Sequence, residues 1–237
     1  MTKVIHLAAS RGHANHGWLN SFHTFSFAGY HNPSRIHFGM LRVLNDDIVA
    51  PGMGFGTHPH ENMEIVSIPL LGALHHRDTT GRDEMIRSGD VQIMSAGRGI
   101  SHSEMNASKN EEVQFLQLWI FPKLNDITPR YEQKKFNKAD RLNQFQKVVS
   151  PLQDDDALFI NQEAHLSLVD ITDANAIDYT LHEANAGVYC FVLEGSVIID
   201  GDTLNKRDGM GISDTARFSI KANNNASLLL IEVPMIG

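Results

Sequence analysis

The chain has 237 residues, enough for one large or two small domains. Its 42% hydrophobic content supports a packed core, and 20 Lys+Arg against 28 Asp+Glu leave a net charge of −8 with no basic block, so direct nucleic-acid binding is not expected. The start, Met1-Thr2-Lys3-Val4-Ile5-His6-Leu7, lacks the apolar region of a signal peptide, no apolar run is long enough to span a membrane, and the lone cysteine, Cys190, cannot form an internal disulfide; a reducing, cytoplasmic setting is expected.

In chain order, Phe22-His23-Thr24-Phe25-Ser26-Phe27 alternates as a strand does, and Gly29 to Ser34 reads as a loop. Phe38 to Asn45 reads as a strand ended by Asp46-Asp47. Pro51-Gly52-Met53-Gly54 is a turn, and His58 to Leu70 is one bent strand or a pair. Turns at Leu71-Gly72-Ala73, Thr79-Thr80-Gly81-Arg82 and Ser88-Gly89-Asp90 separate short strands, and Val113 to Ile120 is strongly patterned. Short strands at this spacing predict an all-β antiparallel barrel or sandwich. Residues 122–147 carry Pro122, Pro129 and a polar run with Lys134, Lys135, Lys138 and Arg141, which reads as a linker with some helix. Strand patterning then resumes at Val148 and runs to Ser227-Leu228-Leu229-Leu230-Ile231-Glu232-Val233.

Eleven of the 13 histidines lie at or before His102, which places any histidine chemistry in the first half. His58 and His60 are two apart, as are His102 and Glu104. On a strand, residues i and i+2 share a face, so each pair offers two ligands to one side. Three imidazoles and a carboxylate suit a divalent first-row metal with positions left open. The absence of thiolate argues against a closed structural zinc site. The second half reads as a faded copy of the first: Glu194-Gly195 lies on Leu71-Gly72 and Gly209 on Gly89. In that registration His58 falls on Leu181, His60 on Glu183 and His102 on Ala222. Two barrels with one metal are expected, a metal-binding domain at 1–135 and one without ligands at 136–237.

Gly52, His58-Pro59-His60, Glu64 and Gly72 resemble the first cupin motif. Gly89, Gly97, His102 and Asn106 resemble the second, with two extra residues between Gly97 and His102. Arg11-Gly12 through His16-Gly17-Trp18, His23-Thr24-Phe25-Ser26-Phe27, Ser95-Ala96-Gly97-Arg98-Gly99-Ile100 and Thr128-Pro129-Arg130-Tyr131-Glu132-Gln133 resemble the pirin family of bicupins more closely. The resemblance implies two tandem cupin domains of antiparallel β-barrel or jelly-roll type. It also implies quercetin 2,3-dioxygenase activity on a flavonol with O2, releasing CO, with Fe(II) as the usual metal; Zn, Ni, Cu or Mn also suit the ligands. Most cupins take their carboxylate from the first motif, here Glu64. Pirins take it from the glutamate after the second-motif histidine, here Glu104. The pirin pattern favours Glu104, which is also the expected proton acceptor, and leaves Glu64 supporting a ligand or lining the pocket. The family also contains redox-sensitive regulatory proteins, so a metal-dependent interaction module is the alternative reading.

Other residues have plainer readings. His75 and His76 are adjacent, so at most one faces inward, and ordinary strand positions are the simpler account. His13, His16 and His23 hold loops or strands through hydrogen bonds, with an approach of His23 to the pocket as a lesser option. Arg98, between glycines, is either structural or meets an anionic substrate. Phe22, Phe25, Phe27, Phe38, Met40 and Phe55 are core residues or the lining of an apolar pocket. Cys190 is a small buried hydrophobe, and Lys134, Lys135 and Lys138 form a solvated face.

Overall fold

Alternation along Val113–Ile120 sets the plan of the molecule. Leu116, Leu118 and Ile120 point one way, into a core shared with the second half of the chain; Val113, Phe115, Gln117 and Trp119 point the other way, into the first barrel. The computed structural model describes residues 1–235. In it this strand sits at the centre of an antiparallel seven-stranded sheet, ordered Arg130–Lys135, Asp90–Ser95, Glu64–Leu71, Val113–Ile120, Leu41–Val49, Leu19–His23, Gly12–Asn15. A four-stranded sheet of Gly54–His60, Ile100–Asn106, Ala73–Asp78 and Asp83–Arg87 closes the barrel.

The second half repeats the arrangement. Its seven-stranded sheet runs Thr2–His6, Gly209–Ser213, Ala186–Glu194, Ala226–Pro234, His165–Ile171, Gln146–Ser150, Leu158–Phe159. Its four-stranded sheet is Ala176–Thr180, Arg217–Ala222, Ser196–Ile199 and Asp202–Asn205. The fold is all-β, two tandem cupin barrels, with short 3-10 turns at Ala8–Ser10 and Lys138–Arg141. Gly72 and Gly195, matched in the internal repeat, turn equivalent hairpins at φ +75° and +78°, a region that favours glycine. The first strand of the chain pairs with Gly209–Ser213, so residues 2–6 complete the sheet of the second half.

The two seven-stranded sheets pack face to face. Leu44, Val66, Ile68, Leu116 and Leu118 from one meet Leu166, Phe191, Leu229 and Ile231 from the other. Each such side chain contributes about 1.5–3 kcal/mol by leaving water. Inside the second barrel, Val188, Cys190, Val192, Val197, Phe218, Ile220 and Ala222 make an apolar filling, with one polar cluster where buried Glu232 accepts from the Tyr179 hydroxyl (2.9 Å) and pairs with His182 (2.9 Å) beside His165. The strand registers correct the sequence alignment of the repeat: with Gly195 on Gly72, Ala222 falls on Asn106, while Phe218 falls on His102, Ile220 on Glu104 and Tyr179 on His58. Among the described residues, the groups of three or more side chains able to hold a metal lie in the first barrel, and this difference separates the two halves chemically.

Three local expectations change. The aromatic strand ends at His23, because Thr24 N–H turns to the Leu44 carbonyl (3.0 Å) and Phe25 enters the shared core beside Tyr189. Asp46 and Asp47 do not end a strand; both are buried within Leu41–Val49 and point to opposite faces. Asp46 accepts from Arg11 (3.1 Å) and Arg207 (3.0 Å), which offsets part of the cost of burying its charge. The polar run at 130–135 is an edge strand on Asp90–Ser95 rather than a linker.

Candidate metal site and its cavity

Gly54–His60 and Ile100–Asn106 pair antiparallel, with His58 opposite His102 and a register shift between His102 and Glu104. The approach is close: a Cβ on Gly54 would lie 2.3 Å from the Glu104 carbonyl oxygen, so only glycine fits there. Along Ile100–Asn106 burial alternates, and Ile100, His102, Glu104 and Asn106 all face inward. The Asn106 amide donates to the carbonyls of Val49 (3.1 Å), Ala50 (3.1 Å) and Glu111 (2.8 Å), anchoring the end of the strand.

The three imidazoles converge. Ring centroids are 4.8 Å apart for His58 and His60, 4.5 Å for His58 and His102, and 4.9 Å for His60 and His102. Their nearest ligand atoms lie within 4.8 Å of one another, and His76, His102 and Glu104 form a second such group sharing His102. Among the described residues, both groups able to hold a metal lie in the first barrel. His58 Nδ1–H donates to the Gly56 carbonyl (2.8 Å), which leaves Nε2 free to ligate. His102 is 2% exposed, and neither ring nitrogen has a hydrogen-bond partner among the described residues. Buried polar atoms are rarely left so, and a cation among the three rings would engage one of these nitrogens. Burial, with the neighbouring His58 and His76, pushes His102 down to about 3; burial with His102 and His58 pushes His60 to about 4. Both rings are neutral near pH 7, the form that binds metal. The donor set therefore fits a divalent transition metal.

Glu104 is buried. It accepts from Ser67 Oγ (2.9 Å) and Gln117 Nε2 (2.6 Å), both on the seven-stranded sheet. Glu64 lies on the opposite face of that sheet. Strand parity sends it with Val66 and Ile68 toward the second half, where it accepts from Ser95 Oγ (2.8 Å) and Asn161 N–H (3.2 Å). It neither joins the histidines nor lines the cavity.

A cavity of about 630 Å³ opens beside the histidines. His58, His60, Glu104 and Gln117 form one side, Phe27 and Tyr30 another. Trp119 stands edge-on to the His60 ring, with centroids 4.9 Å apart at 84°. Of the candidate aromatics, Phe27 and Phe55 line this space, whereas Phe25 and Phe38 belong to the shared core. Arg98 is exposed and away from the cavity lining.

Four histidines do more than the plain reading gave them. His13, His16 and His23 line the cavity. His76 is fully buried, its Nε2 pairs with Asp78 (2.8 Å), and its ring stands 5.3 Å from that of His102. Alternation with the apolar Leu74 was the signal that His76, not His75, faces inward.

Two cupin-type barrels, the first holding a histidine and glutamate cluster able to bind a metal, define a bicupin. Residues 4–120 match the Pirin family and residues 147–233 the quercetinase C-terminal cupin domain. The chain is 43% identical over 230 residues to the quercetin 2,3-dioxygenase of Escherichia coli strain K12, covering 97% of each. It is 40% identical over 222 residues to a pirin-like protein of Caulobacter vibrioides, covering 93% of this chain and 95% of that one. The crystal structure of bacterial pirin YhhW in complex with nickel(II), from Escherichia coli, matches with a TM-score of 0.94 at 41% identity, covering 99% of this chain and 100% of that chain. The chain belongs to the pirin family.

Proposed function

We propose that this protein is a metal-dependent dioxygenase that opens flavonols such as quercetin with O2, releasing CO. His58, His60, His102 and Glu104 hold one divalent ion, Fe(II) in this reading, and the protein acts in the cytoplasm. The observation that carries the proposal is the 630 Å³ cavity, aromatic on one side and bounded by the histidine cluster on the other. A site that only sensed redox state through a surface would need no room for a planar ligand; this one has the volume of a small-molecule pocket.

A bound divalent ion supplies Lewis acidity, lowering the pKa of a hydroxyl beside it. The chain's own residues do the rest. The Glu104 carboxylate accepts the proton of the substrate's 3-hydroxyl, and Ser67 and Gln117 hold it in place for that transfer. Trp119, Phe27 and Phe55 flank the ring system and exclude water from the reacting face. Neutral His60 and His102 stay available as ligands because burial disfavours their protonation.

The test is oxygen uptake and CO release by metal-reconstituted protein given a flavonol panel. Turnover is expected for the unsubstituted protein and lost in His58→Ala and Glu104→Ala. Undiminished oxygen uptake by metal-stripped protein would refute the proposal.

A further inference from the structure

One wall of the cavity carries buried polar atoms without partners. The row begins at Glu104. Gln117, which donates to it, sits opposite Asn45 on the next strand, and Asn45 sits opposite His23 on the one after. With strands about 4.8 Å apart, Asn45 and His23 lie roughly 5 and 10 Å along the sheet from Gln117. That is the span of a two- to three-ring aromatic. Asn45 is 2% exposed and His23 is 3% exposed, and both line the cavity. Asn45 Oδ1 and His23 Nδ1 have no hydrogen-bond partner among the described residues. Asp47, two residues along the same face from Asn45, takes the Ser21 hydroxyl on one oxygen.

These groups share one chemistry. The Asn45 amide oxygen accepts hydrogen bonds, and Asp47, whose pKa burial pushes up to about 7, accepts as the carboxylate and donates when protonated. Burial, with the charges of His13 and His16 nearby, lowers the His23 pKa, so its ring is neutral and has an acceptor nitrogen. A row of unpartnered acceptors beside amide and imidazole N–H donors, without a fixed positive charge, suits hydroxyl groups, which donate and accept, better than carboxylates or phosphates. Phe27 and Tyr30 pack against the His23 ring at 5.3 and 6.3 Å and supply an apolar flank.

We propose that Asn45, Asp47 and His23 form a hydroxyl-reading subsite that orients a polyhydroxylated aromatic ligand at the end remote from Glu104. The assignment rests on the flavonol reading above and adds the feature that selects among flavonols: the hydroxyls on the rings away from the reacting one. The 3-hydroxyl goes to the histidine cluster, and the remote hydroxyls meet the acceptor row.

The test is anaerobic titration calorimetry on metal-reconstituted protein, which reads binding without turnover. Quercetin is compared with 3-hydroxyflavone, which keeps the 3-hydroxyl and lacks the others. The unsubstituted protein is expected to bind quercetin at least about tenfold more tightly, since each lost hydroxyl leaves a buried acceptor unpaired. In Asn45→Leu, and independently in His23→Phe, the quercetin affinity falls and the preference shrinks to within about twofold. A preference near one in the unsubstituted protein, or a preference that survives in either folded variant, overturns the subsite while leaving flavonol binding intact. Failure of the unsubstituted protein to bind either compound overturns the flavonol reading itself, and the subsite with it.

Discussion

Replacing His102 by leucine should stabilise the metal-free protein and abolish its response to metal. The His102 ring is buried with both nitrogens unpaired. Each unsatisfied buried polar atom costs about 1–3 kcal/mol, and an apolar side chain of similar size removes both penalties. Leucine fills the space less well, which returns on the order of 1 kcal/mol. The net expectation is a metal-free variant more stable by roughly 1–5 kcal/mol. At about 2–4 °C per kcal/mol for a chain of this length, Tm rises by some degrees. Metal at a hundredfold excess over Kd adds about 2.7 kcal/mol to the unsubstituted protein. The variant, lacking a ligand at the centre of the cluster, should gain little. Thermal melts of both proteins, stripped and reconstituted, give all four values. The reasoning is wrong if the stripped variant melts several degrees below the stripped parent and both show the same rise with metal.

Three further outcomes follow from the geometry. Glu104→Gln should weaken metal binding by tenfold or more in a chelator competition, whereas Glu64→Gln should leave it unchanged and lower stability by about 1–2 kcal/mol through its bonds to Ser95 and Asn161; equal effects on metal would mean the two carboxylates were assigned to the wrong faces. Gly54→Ala should destabilise by about 1–3 kcal/mol and loosen metal binding, because its Cβ would press on the Glu104 carbonyl; unchanged melting and affinity would contradict the close approach. Burial, reinforced by His182, holds His165 down to about 4. Between pH 6.5 and 4 the unfolded chain then binds more protons than the folded one, so acidification costs stability across that window. His165→Gln should remove this cost, gaining on the parent by about 1.4 kcal/mol per pH unit in denaturant titrations, and parallel pH curves would show that His165 does not titrate as described.

The ligand candidates were legible because they obey strand parity within short, glycine-punctuated segments. His58, His60 and His102 need only the i, i+2 rule and a pairing between their strands. The same rule, applied to Glu64 against Val66 and Ile68, separates it from Glu104, but only once the outer face of that sheet is known to meet a second barrel. That is a tertiary fact with no local signature. Asp46-Asp47 misled for the same reason. Two adjacent aspartates have turn chemistry, and only the arginines from distant segments, Arg11 and Arg207, keep one of them in a buried strand. The edge strand at 130–135 was hidden because one face of an edge is wet, and its polar composition reads as a linker. The sequence alignment of the second half was two to four residues off, because only its turn glycines anchored it; the strand registers put Tyr179, Leu181, Phe218 and Ile220 where the first half has His58, His60, His102 and Glu104.

One ion should sit among His58, His60, His102 and Glu104 of the first barrel. Anomalous diffraction at the metal edge, from crystals of reconstituted protein, tests it most directly. One strong peak per chain is expected, about 2.0–2.2 Å from ring nitrogens of His58, His60 and His102 and from a Glu104 oxygen. A peak held by His76 and Asp78 instead, or a second one inside the trailing barrel, would contradict it.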